Sequence, residues 1–221
     1  YDRTGTVFVI PQGDPVTFID GLIRGHKSLP VHTDKHGKDY SGVAATISYR
    51  PPVELVRFFT PFGVRNFNEK RTVPGLVWED SAFYKQEITR YLPLLRGEVW
   101  IGAFIGNYDR GGHRLSLRLK YYPETREMEF PASPEKWISS VFNTLPIMEM
   151  AGQQYGTMFD GDTLSVSVEI PEGLKSLQMV FITTGHGGWG GGDEFNQKMN
   201  ELLVDGRRVW SFVPWRSDCG T

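Results

Sequence analysis

One cysteine, Cys219, is all that the 221 residues contain, so no disulfide can close among them and its thiol is buried or free. No apolar stretch is long enough to span a bilayer. No basic, apolar and small-residue leader stands at the start, and a chain that opens inside a strand motif reads as part of something longer. Charge of one sign is also lacking: 24 Lys and Arg against 26 Asp and Glu leave a net charge of -2, which gives no electrostatic case for nucleic acid. Long helical periodicity is missing as well. In its place stand 25 glycines, 14 prolines and 13% aromatic residues, the makeup of many short strands joined by turns. The length suits one large or two modest domains, each with a core.

Apolar alternation predicts strands near residues 6–10, 43–49, 54–59, 99–105, 114–122, 164–170, 177–184, 201–204 and 209–213. Turn signals at Gln12-Gly13-Asp14-Pro15, Arg50-Pro51-Pro52, Asp160-Gly161-Asp162 and Asp205-Gly206 separate them. Only residues 81–95 offer a short helix, and Pro93 interrupts it. The Phe130-Pro131-Ala132-Ser133-Pro134 stretch is the best boundary, giving an all-β unit over 1–131 and part of a second over 132–221.

Two segments carry candidate chemistry. The opening Tyr1-Asp2-Arg3 leads into an alternating strand, with Thr6, Phe8 and Ile10 on one face and Val7 and Val9 on the other. Such a strand would present Asp2 and Arg3 at the mouth of a sheet; the alternative is a solvated terminus. The second segment, Gly185-His186-Gly187-Gly188-Trp189-Gly190-Gly191-Gly192-Asp193-Glu194-Phe195, runs on to a strand and the Asp205-Gly206 turn. It lacks the Gly-Lys-Ser/Thr ending of a phosphate cradle, and no helical pattern follows, which disfavours nucleotide binding.

Together these segments resemble the bacterial peptide-N-glycosidase F enzymes. There a Trp-Asp-Arg tract holds the catalytic aspartate, and a Gly-Trp-Gly loop leads to a glutamate and an aromatic. Val56-Arg57-Phe58-Phe59-Thr60-Pro61-Phe62 is similar to that family's Arg-Phe-Ile-Thr-Pro-Tyr strand. The resemblance implies two adjacent jelly-roll β-sandwiches, the second present only in part, with a site in the cleft between them. It implies hydrolysis of the amide joining the innermost N-acetylglucosamine to asparagine in N-glycoproteins and glycopeptides, with no cofactor required. It also implies a secreted or periplasmic protein, and a partner for Cys219 in the second domain.

Carried over by position, Asp2 matches the principal catalytic aspartate, Glu194 the second-domain glutamate, and Arg3 an arginine beside the sugar core. Tyr1 and Trp189 are further substrate-contacting candidates, Trp189 by stacking on a pyranose unless it is simply buried. The family's third acidic residue has no glutamate counterpart in the Trp100-Ile101-Gly102 to Tyr108-Asp109-Arg110 stretch, where Asp109 is the nearest replacement. Against the family, residues 13–49 look like an insertion. Within it His32, Asp34 and His36 alternate, and in an extended segment they would share a face suited to a transition metal; the alternative is a polar surface loop. The rival to the enzyme is a noncatalytic carbohydrate-binding or adhesion sandwich, since one fold hosts both.

Overall fold

The computed structural model describes residues 3–61, 74–75, 79–107, 110, 112–122, 136–144, 162–184 and 196–215. It is an all-β protein of antiparallel sheets with few helical turns, divided into a compact unit Tyr1–Gln153 and a second, Gln154–Thr221. No helix among the described residues is long and apolar enough to cross a membrane.

The first unit is organised around strand β1, Thr4–Ile10. After it come helix α1 (Phe18–Arg24), the short strands β2 (Val31–Thr33) and β3 (Asp39–Ser41), then β4 (Val53–Phe59) and β5 (Trp100–Ile105). β1 lies between β4 and β5, antiparallel to both. Its alternation therefore serves two buried faces rather than one wet and one dry. Val7 and Val9 join Val53, Leu55 and Phe58 in the core, flanked by Ile88, Tyr91, Leu94 and Leu95. On the opposite face Phe8 meets Phe18 of α1 edge-on, with ring centres 5.7 Å apart.

A β-bulge in β4 reassigns its faces. Val7 pairs with Val56 and Phe8 with Glu54, leaving Leu55 as the extra residue. Val53 before the bulge, Leu55 within it and Phe58 after it can then reach the same core, while Glu54 and Arg57 turn toward Thr6. The fully buried Thr6 hydroxyl donates to Glu54 Oε2 at 2.9 Å. Arg57 Nε lies 3.1 Å from that oxygen and 2.8 Å from Oε1, with hydrogen-bond alignment only to Oε2. A buried carboxylate survives in such surroundings only when paired in this way.

Two glycines admit aromatic rings from the neighbouring strand. Gly5 pairs with Phe58 and Gly102 with Phe8, and a methyl group added at either would fall 2.3 Å from the opposing ring. Gly102→Ala should therefore destabilise the protein by about 1–3 kcal/mol, because Phe8 must leave its place against Phe18. Equilibrium denaturation checks this; an unchanged midpoint would mean that the Phe8 ring moves aside without cost.

The segment expected as an insertion folds back on its own start. Arg50 Nε and one terminal nitrogen grip the Asp14 carboxylate at 2.8–3.1 Å, and Val16 N–H donates to Ser48 O at 3.0 Å. Tyr40, Val43, Tyr49 and Leu29 are buried within it, and the Tyr49 hydroxyl donates to Gly42 O at 2.9 Å. Helix α1 was not expected. Its start follows a capping box in which Asp20 Oδ2 accepts from the Thr17 N–H at 2.8 Å and from the Thr17 hydroxyl at 3.1 Å.

Residues 43–49, expected as a strand, form isolated bridges instead, Ala44 with Phe142 and Thr46 with Tyr49. Backbone bonds join Ala45 to Val141 and Asn143 to Val43, and the Asn143 side chain reaches Pro52 O at 3.0 Å. Thus residues 136–144, which the proline stretch would assign to a second domain, bond to the first unit, and the compact division follows Gln153. Pro93 lies inside a 3-10 turn, Thr89–Leu95, in the region expected to be a broken helix. Residues 114–122, 164–170 and 177–184 are not in strands, and Leu115 and Leu117 remain about half exposed at 45% and 49%. Alternation selects a face but not a partner.

In the second unit, β6 (Asn200–Val204) and β7 (Arg207–Phe212) form an antiparallel hairpin. The expected Asp205-Gly206 turn joins them with φ of 50° and 74°, left-handed at both positions, as a tight hairpin of right-twisted strands demands. Trp210 and Phe212 stack at 4.3 Å, and Phe181 meets Phe212 edge-on at 5.8 Å.

Candidate functional site

The three strands of the first sheet end together near Arg3. Thr4 pairs with Phe59, Gly5 pairs with Ile105, and Gly106 N–H donates to Thr4 O at 3.2 Å. Just beyond the ladder, Arg3 N–H donates to the Thr60 hydroxyl oxygen at 2.7 Å, and Thr60 N–H returns a bond to Arg3 O at 2.8 Å. Parts of three sequence motifs thereby converge: the opening Arg3, Thr60 from the 56–62 stretch, and Gly106-Asn107 from the 100–110 stretch.

Tyr84 braces this end. Its ring stacks on Phe58 with centres 4.6 Å apart, and its hydroxyl donates to Phe59 O. Like any tyrosine at neutral pH its phenol is a hydroxyl donor, and partial desolvation raises its pKa further. Thr60 lies within the 56–62 motif, but its contact with Arg3 spans 57 residues and has no local signature. Tyr84 comes from the region read as a short helix and carried no signal at all.

Of the expected site residues, Arg3 is placed at this sheet end. Tyr1, Asp2, Asp109, Trp189 and Glu194 lie outside the described residues, as does Cys219.

The expected row of His32, Asp34 and His36 is not one extended face. His32 sits in β2 opposite Tyr40, but residues 34–38 form a tight turn, not a continued extended segment. Asp34 caps that turn: its Oδ1 accepts the N–H of Lys38 at 2.8 Å and of His36 at 2.9 Å, and its Oδ2 accepts the Tyr40 hydroxyl at 3.3 Å. These bonds, led by the Lys38 amide, hold the carboxyl below the usual aspartate range. His32, Asp34 and His36 are not brought into a coordinating set, and no group of three His, Cys, Asp or Glu among the described residues could hold a metal ion.

An apolar groove also runs between α1 and β5, lined by Phe8, Phe18, Leu22, Ile23, Trp100 and Phe104 among others. Its lining has no titratable side chain, so it offers no acid, base or nucleophile.

The chain matches the family model "Peptide-N-glycosidase F, N terminal" over residues 1–121 and "Peptide-N-glycosidase F, C terminal" over residues 154–221. No curated protein matches it. Two solved structures of PNGF-II, in different space groups, are similar over 100% of this chain: one at 45% identity and a TM-score of 0.83, the other at 42% and 0.74. The chain spans 40% of the length of each. With one family model covering residues 1–121 and a second 154–221, the chain belongs to the peptide-N-glycosidase F family.

Proposed function

We propose that the complete protein is a peptide-N4-(N-acetyl-β-glucosaminyl)asparagine amidase. It hydrolyses the side-chain amide of glycosylated asparagine, leaving aspartate in the peptide and releasing the glycan as a glycosylamine. The observation that carries this reading is family membership through both halves of the chain, with carboxylates in each half at motif positions: Asp2 and Glu194. Amide hydrolysis needs a base for the attacking water and charge stabilisation at the carbonyl. Asp2 takes the first role; Glu194 orients water or assists the leaving amine. Arg3, Tyr1 and Trp189 contact the sugar core, and Asp109 supplies a carboxylate where the family has its third acid. None of these roles needs a cofactor. N-glycoproteins and their glycopeptides are the substrates, which suits a secreted or periplasmic enzyme.

The test is incubation of the complete protein with glycopeptides of several N-glycan classes in heavy-oxygen water. Mass spectrometry should show glycan loss with one heavy oxygen in the new aspartate. Intact glycopeptides in every class would reject the amidase and leave a carbohydrate-binding module in its place.

A further inference from the structure

We propose that Thr60 is a positioning residue for this reaction, acting through the Arg3 amide on the segment that carries Asp2; the inference rests on the amidase reading. In a regular antiparallel ladder the Arg3 N–H would meet a backbone carbonyl. Here it donates to a side chain, Thr60 Oγ1, at 2.7 Å, while Thr60 N–H closes the ring on Arg3 O at 2.8 Å. The N–H so held is that of Arg3, the residue next to Asp2 in the sequence.

The acceptor is itself restrained. Thr60 precedes Pro61, which keeps its backbone extended, and its branched Cβ limits χ1. The strand behind it is clamped, with Phe58 lying over Gly5 and stacked on Tyr84, and with Phe59 O bound by the Tyr84 hydroxyl. A catalytic carboxylate is useful only when its supports are as fixed as these. An error of one ångström can cost about 100-fold in rate, far more than one hydrogen bond costs the fold.

Thr60→Val removes the acceptor at nearly constant shape; Thr60→Ser retains it. In the complete protein, Thr60→Val should lower kcat about 10- to 100-fold, with KM and melting temperature much less affected, and Thr60→Ser should restore most of kcat. Hydrogen exchange with fragmentation of the peptide that contains Arg3 should show a faster-exchanging Arg3 amide in the Val variant alone. Wild-type kcat in Thr60→Val, a loss that Ser does not restore, or unchanged Arg3 exchange would each overturn the proposal. A wild-type protein inactive on every glycopeptide would instead remove the amidase reading, and with it the catalytic part of this role. The exchange measurement would still decide whether Thr60 holds the strand.

Discussion

Asp2→Asn lowers glycan release by about 10²–10⁴-fold while leaving the fold intact, the range expected when a positioned general base is lost. Asparagine keeps the size and hydrogen-bonding reach of aspartate but cannot take a proton from water. Contacts among the described residues hold the neighbourhood: Arg3 is fixed by its main chain to Thr60, and β1 by the core beneath Val7 and Val9. The defect should therefore appear in kcat rather than in melting temperature or expression. Single-turnover release from a denatured glycoprotein, followed beside circular dichroism, measures both. Near-normal turnover by Asp2→Asn would remove Asp2 from the chemistry.

Glu194→Gln should depress kcat about 10- to 100-fold and change glycopeptide affinity little. An amide side chain still hydrogen-bonds sugar or water, so ground-state contacts persist. What disappears is negative charge, whose value is greatest where the leaving nitrogen gains positive character. Titration calorimetry on the inactive Asp2→Asn background gives affinity without turnover, and pre-steady-state release gives the rate. Loss of affinity matching the loss of rate would make Glu194 a binding residue and leave the second catalytic role unfilled.

Much of the sheet architecture was legible because its signals are local. The Val-Phe-Val-Ile alternation located β1, similar patterns located β4 and β5, and Asp205-Gly206 located the hairpin turn. The misses also have physical causes. Helix α1 has only seven residues, too few to build a visible 3.6-residue period, and its remaining trace is the Thr17–Asp20 capping pair. The bulge at Leu55 reverses side-chain parity midway through β4, so strict alternation locates the strand but does not give the faces of Arg57 and Phe58. His32, Asp34 and His36 form a ligand row only in an extended segment. The hydrogen bonds from the His36 and Lys38 amides to Asp34 make it a turn. At the site, resemblance singled out Arg3, whereas Tyr84 became visible only when tertiary structure set its ring on Phe58.

The central place of β1 has a kinetic consequence. Its partners, β4 and β5, follow it in the chain, the second only after residue 99. During synthesis an apolar Val-Phe-Val-Ile stretch must wait unpaired while both neighbours are made. Such a segment, rich in β-branched and aromatic residues and without charge, is prone to pair with other chains. The intervening residues 14–50 can close early, because Asp14 and Arg50 join their ends and their buried tyrosines lie within the segment. Phe18 then offers Phe8 a local apolar contact before either strand partner arrives. By chain order, the segment between β1 and β4 is thus placed to cover the Phe8 face of β1 before either neighbouring strand is made.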